Sequence, residues 1–451
     1  MERSSWLKRW MRKIFRSAVT PRPRRPVRRN RLQIEPLEER IVMSAVAWDG
    51  GGDGLSWQDR FNWNTDQVPG TLDDVTINVS GTPTVRYSQA TSTVHSISNS
   101  ENLLVADGAL TVSTTFQQGT GSLTESGGSL TLSGGTVTGG SVSLQGGTFT
   151  GTLTFRNTAL TTSAAVSGPS TLILQGGNTL AGEVPVDQTL WVQGANAAFN
   201  ATLTLAGDVT NHGTIRMESV DQSWNSNLTS GAFTLTNAPD GTLQVNRVAA
   251  GARTLTGNFT NQGTINVTGG TTLTNELTGG RTLRLASGSV AVDASSAFLA
   301  QNGAIALDGG AVSGSMILRG SALTIGPTSL ATGTLALQDG NTLSGVVQAG
   351  QTLWVQGSDA AFNATLTLAG DVTNHGTIRL ESVNQSWNSN LTSGAFTLTN
   401  ASDGTLQVNR GTAGSRVLTG NFTNQGTVAV AGGTTLTNEL TGGRTLRQSG
   451  G

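Results

Sequence analysis

The chain has 451 residues, of which 60 are Gly, 12% are charged and 5% aromatic, with a formal net charge of −1. Without a single Cys, a disulfide framework and cysteine-ligated zinc or iron–sulfur centres are excluded. Helix formers never recur at 3.6-residue spacing over long stretches and Gly has no triplet period, which argues against helical domains and excludes collagen.

The charge is unevenly placed. Twelve Lys and Arg fall between Arg3 and Arg31, and no Lys follows Lys13. Residues 4–16 set Trp6, Leu7, Trp10, Met11, Ile14 and Phe15 on one helical face between basic residues. That pattern predicts a leader that is either a short helix against an anionic membrane surface or a disordered basic segment. The acidic body, lacking Lys, offers no nucleic-acid platform. IVMSAVA at 41–47 is too short and too far along for a standard signal peptide, and no apolar run long enough for a transmembrane helix is found.

Leu37-Glu38-Glu39-Arg40, followed by Ile41-Val42-Met43 and Ser44-Ala45, resembles the LEPR-type N-terminal motif of large planctomycete proteins. Glu39 stands where that motif has proline. The resemblance implies export or surface sorting, with Leu37, Glu38, Arg40, Ser44 and Ala45 as the motif residues, and a leader domain over 1–45.

Residues 46–100 are rich in Trp, with Trp48, Trp57 and Trp63 followed by Pro69 and the strand-like Asp73-Asp74-Val75-Thr76-Ile77. The segment is similar to a cap-like module that opens many bacterial solenoid surface proteins. The first rung of a solenoid leaves an open apolar end, and large aromatics such as Trp57 and Trp63 can plug it. Asp49-Gly-Gly-Gly-Asp53-Gly resembles a Gly/Asp calcium loop but occurs once, without a repeating nonapeptide; no metal or cofactor is expected.

Residues 101–451 are repetitive. Positions 122–284 and 285–447 align without gaps at a period of 163, and 190–246 differs from 353–409 at only five positions. Alternating stretches such as Thr-Leu-Thr-Leu at 202–205 predict strands with Leu, Val, Ile and Phe inward and Thr and Ser outward. Gly-Gly and Asn-x-Gly are expected to provide positive φ at the corners. The recurring Asn211, Asn237 and Asn261, and their counterparts Asn374, Asn400 and Asn424, are spaced by about one coil of a three-faced parallel β-helix. Stacked in register, their amides would form an asparagine ladder. The fold expected is therefore all-β: a parallel β-solenoid of roughly 24-residue coils, six or seven to each copy, forming a rod roughly 70 Å long behind the basic leader. Over 100–447 the texture resembles filamentous-haemagglutinin-like and autotransporter passenger solenoids. The chain stops at Gly451, where a third copy would begin, and a continuation or anchor beyond it is expected.

Catalytic signals are sparse. Parallel β-helices also host pectate-lyase-like and glycosidase activities, but those need clustered carboxylates, and the Asp residues here stand mostly alone in turns. Of the three histidines, His95, His212 and His375, the last two occupy equivalent Asn-His-Gly-Thr turns and read as exposed corner residues rather than metal ligands. Trp224 and Trp387, in equivalent Ser-Trp-Asn-Ser-Asn stretches, are candidate loop contacts that would stack on a sugar or anchor a partner; the competing reading folds each indole back over a coil. Trp191 and Trp354 read as ordinary strand residues. The functional expectation is a secreted or cell-surface, non-catalytic structural and adhesive protein contacting surface glycans or other matrix proteins. The alternative is a polysaccharide-active β-helix enzyme.

Overall fold

The computed structural model describes residues 43–330, 332–432, 434–440 and 444–448. The basic leader and Leu37, Glu38 and Arg40 lie outside the described residues. Strict alternation decides the architecture. In strands such as Ser129–Leu132 (SLTL) and Thr264–Val267 (TINV), every second residue is buried and its neighbours are half-exposed. A backbone that buries one side and pairs in parallel with the next turn of chain must coil, and the result is a β-solenoid of about 17 turns.

Each coil has three faces. The strand Gln188–Gly194 supplies one; Ala201–Asn211 bends between Thr204 and Val209 and supplies the other two. The same division shows at Arg253–Asn261, whose first half pairs with Thr272–Glu276 and whose second half pairs with Thr282–Leu285. The inward side chains merge into one apolar column that runs from Val46 to Phe422 and includes Phe116, Phe149, Phe155, Phe259 and Phe298.

The coils are less uniform than the expected 24 residues. Thr171, Thr189, Thr214, Thr242, Thr264 and Ser289 are successive partners on one face, so coils range from 18 residues (171 to 189) to 28 (214 to 242). Strand length is held by the column; loops at the corners take up the difference. Gln351–Val355, the counterpart of Gln188–Gly194, lies on the neighbouring face: its register runs back through Gly333–Gln338, Ser315–Arg319, Ala297–Gln301, Thr272–Glu276, Arg253–Asn261 and Ser226–Asn237 to the first half of Ala201–Asn211. That is seven rungs, or about 34 Å along the axis.

The glycines divide into two kinds, correcting one expectation. Gly-Gly pairs such as Gly139-Gly140 do take positive φ (71° and 63°). The Gly of Asn-x-Gly turns does not. A Cβ at Gly213 would lie 2.2 Å from the Pro185 carbonyl oxygen, and one at Gly263 would lie 2.2 Å from that of Ala238. These glycines let one coil's backbone touch the next.

At the N-terminal end, Trp48, Trp57 and Trp63 are buried and meet edge-on, with ring centroids 5.0 Å (48–63) and 4.8 Å (57–63) apart. Trp63 Nε1 donates to the Trp57 carbonyl at 2.8 Å, and Trp57 packs on Tyr87. Pro69 is buried as well. Ser44 and Ala45 lie in the first strand, Ser44–Ala47, paired with Asp73 and Asp74. In the Gly/Asp loop the carboxylates are occupied by protein donors. Asp53 Oδ1 accepts from the Leu55 and Ser56 amides and Asn62 Nδ2, while Asp59 accepts from Asp53 N and Phe61 N. These bonds hold the Asp53 carboxyl below its ordinary pKa.

Candidate functional site

Inside the corner that follows each second strand, the asparagines stack. Asn211 Nδ2 donates to Asn237 Oδ1 and Asn237 Nδ2 to Asn261 Oδ1, both at 2.8 Å; Asn374, Asn400 and Asn424 repeat this at the same distances. Every member is at most 3% exposed, and each amide also reaches a neighbouring carbonyl, as Asn237 does to Thr264 at 3.1 Å. The ladder therefore solves a burial problem: it pairs polar groups inside a dry column. A second ladder was not foreseen. Arg156 donates to Gln175 and Gln175 to Gln193 at 2.6 Å; Arg319, Gln338 and Gln356 do the same one copy later. Its sequence signal was the shared 163-residue period of single polar residues ending apolar strands.

Trp224 and Trp387 lie on the outside, at another corner of their coils. The loop before Trp224's coil is closed by Ala195 N donating to Phe199 O at 2.9 Å, which forces Phe199 to φ +54° and leaves it 62% exposed. A bulky residue at positive φ is strained backbone. Trp224 packs edge-on against that ring at 5.1 Å and is half-buried. Its Nε1 donates to Asn196 Oδ1 at 3.3 Å, where Gln222 Nε2 also donates at 2.8 Å. The second copy rebuilds this corner: Phe362 has φ +52° and 62% exposure, Trp387 is 5.0 Å away, and Trp387 Nε1 donates to Asp359 Oδ1 at 3.0 Å. The indole is thus wedged between the loops of two coils, with the phenyl ring as the more open face. Gly194 and Gly357 make room for it, since a Cβ at either would crowd the Trp Cβ at 2.9 and 2.8 Å.

Three of the five differences between 190–246 and 353–409 fall here. Ala195 becomes Ser358, Asn196 becomes Asp359, and Asp221 becomes Asn384. The last two are an exchange: each corner keeps one carboxylate and one carboxamide. In the second copy they bond to each other, Asp359 N to Asn384 Oδ1 at 3.0 Å; in the first, Asp221 Oδ1 is shielded and has no partner.

Beneath the next loop sits a buried arginine. Arg253 is 0% exposed; its Nε donates to Asn246 O, Nη1 to the Gly251 and Ala252 carbonyls, and Nη2 to Ser219 Oγ at 2.8 Å. Arg416 repeats the bracket with Asn409 O, Ser415 O and Ser382 Oγ. Burial lowers both guanidinium pKa values, with Glu218 and Glu381 respectively opposing that shift. The scattered arginines of the sequence thus include two internal braces that fix the loop carbonyls.

Elsewhere, Trp191 and Trp354 lie on strands as expected, with Arg216 and Arg379 over their rings at 4.1 and 4.3 Å. His95, His212 and His375 each meet an Asp of another coil, at 2.7, 2.9 and 2.8 Å. Among the described residues no group of three or more His, Asp or Glu is placed to hold a metal ion, and no helix is long and apolar enough to cross a membrane. No protein family, curated protein or solved structure matches the chain.

Proposed function

We propose that the protein is an exported, non-catalytic scaffold of the cell surface or extracellular matrix, in which a stiff solenoid presents repeated corner loops as weak, multivalent contacts. The observation carrying this reading is the duplicated aromatic corner: the same exposed Phe, wedged Trp and strained backbone, rebuilt seven rungs apart on one continuous column. Rigid presentation of equal sites lets individually weak contacts add through effective concentration. The resemblance of residues 37–45 to a sorting motif supports the export part.

Three measurements test it. Protease treatment of intact cells should remove the epitope-tagged protein, and a tag that stays protected would defeat the export reading. The purified body should bind cells, extracted matrix or itself; binding to none of these would defeat the adhesive reading. Release of reducing or unsaturated sugars from polysaccharide by the purified protein would replace it with the enzymatic alternative.

A further inference from the structure

We infer that each aromatic corner is a binding subsite for an uncharged sugar ring, and that the two subsites engage one polysaccharide chain together. The inference rests on the corners being the contact sites of the scaffold and names what they contact. A pyranose ring offers C–H groups on its faces and hydroxyls around its rim. Phe199 and Phe362 supply an open aromatic face for the former, each 62% exposed and steadied edge-on by Trp224 or Trp387. The side chains at the rim are those that pair with hydroxyls: Asn196 and Asp221 in one copy, Asp359 and Asn384 in the other.

The exchange of acid and amide between copies is the second observation. In the second copy the two are joined, Asn384 Nδ2 donating to Asp359 Oδ2 and Trp387 Nε1 to Asp359 Oδ1, and a hydroxyl would enter by sharing this carboxylate. The pair retains one acceptor-only carboxylate and one amide that both donates and accepts, which is the set that reads vicinal hydroxyls. Charge argues for an uncharged ring. Each corner carries a carboxylate, while the nearby guanidinium of Arg253 or Arg416 is turned inward onto backbone carbonyls. The positive φ of Phe199 and Phe362 (54° and 52°) fixes the ring's direction before any ligand arrives. The subsites lie about 34 Å apart along the axis and on neighbouring corners around it, so only a polymer that crosses a face obliquely can reach both.

The test uses the full chain, with Phe199→Ala, Phe362→Ala and the double variant. The probes are soluble dextran, mannan and xyloglucan, alginate as an acidic polymer, and short neutral oligosaccharides too small to span both sites. Circular dichroism melts confirm that the variants remain folded. Wild type should bind at least one neutral polymer and prefer it to alginate. Each single variant should bind that polymer about 10²-fold more weakly, yet bind the matching oligosaccharide with unchanged affinity at half the stoichiometry. The double variant should bind neither. The proposal is overturned if wild type binds no neutral polymer, if alginate is preferred, if the double variant binds as wild type does, or if single variants weaken polymer binding only about twofold. Should cells or matrix protein still be bound while no polysaccharide is, the sugar assignment fails and the adhesive reading stands.

Discussion

Glu125 is a carboxylic acid set in an apolar column, with Val105 and Leu144 as its neighbours in register. It is 0% exposed and neither carboxyl oxygen has a hydrogen-bond partner. Burial pushes its pKa from 4.5 up to about 8, and the nearby Leu130 amide offsets this only in part. The sign follows from linkage. Below the unfolded pKa both states are protonated and nothing is lost. As pH rises from 4.5 towards 8 the unfolded chain ionises while the folded chain keeps its proton, so stability falls, by about 5 kcal/mol at most. Glu125→Gln should flatten this pH dependence, and Glu125→Leu should raise the melting temperature at pH 8; thermal melts from pH 4 to 9 that keep the wild-type slope in both variants would refute it. The asparagine ladder makes the opposite case, a buried polar group that is satisfied. Asn237→Ala removes its bonds to Asn211, Asn261 and Thr264 and leaves Asn261 Oδ1 without its donor, which should lower stability by about 2–3 kcal/mol. An unchanged melt would mean the ladder contributes nothing. Arg253→Met should act likewise by about 3–5 kcal/mol, because a thioether cannot serve the carbonyls of Asn246, Gly251 and Ala252.

The coil is the element here, and its geometry is set at turns where backbones touch. Gly263 illustrates this: its Cβ would meet the Ala238 and Gly241 carbonyls at 2.2 and 2.3 Å, so Gly263→Ala must push two coils apart. Gly231 is a natural control. It has φ +61° but nothing within 4 Å of a built Cβ, so Gly231→Ala carries only left-handed strain of about 1 kcal/mol. Melting should therefore fall by clearly more in Gly263→Ala, roughly 3 kcal/mol in stability, and equal effects would show that contact between coils is not what the turn glycine protects. The same element shows what could be read in advance. Strand identity, inward and outward faces and the stacking of Asn211, Asn237 and Asn261 were legible because alternation and period are local or repetitive signals. The close-contact role of Gly213 and Gly263 was not, because it depends on a neighbour some two dozen residues away whose distance no pattern reports. For the same reason Trp224 was visible as a candidate while Phe199, its partner one coil earlier, was not. Arg253 and Glu125 look like surface residues in a sequence, since polar residues at inward positions are exceptions to the very alternation that identifies the strands.

At the scale of the whole solenoid, each coil touches mainly the ones before and after it, so stability is close to a sum of coil and neighbour terms and damage should stay local. The end of the column near Ser44 is the place to test this. There the apolar interior is closed by Trp57 and Trp63, both 0% exposed and in edge-on contact. Trp57→Ala removes a large buried side chain, with a loss of about 3–5 kcal/mol. If the column were one cooperative unit, that loss would be felt equally by every coil. In a chain of neighbour couplings it instead frays the end: amide exchange in Ser44–Ala47, Asp73–Ile77 and Thr84–Tyr87 should accelerate about 10²-fold or more, while the second-copy strands Ala364–Asn374 and Ser389–Asn400 keep their protection. Hydrogen exchange read by mass spectrometry separates the two outcomes, and a uniform rise along the chain would defeat the neighbour-coupled picture. Local failure is also what a duplicated contact surface requires, because a rod that frays at one end still holds its remaining corner loops in register.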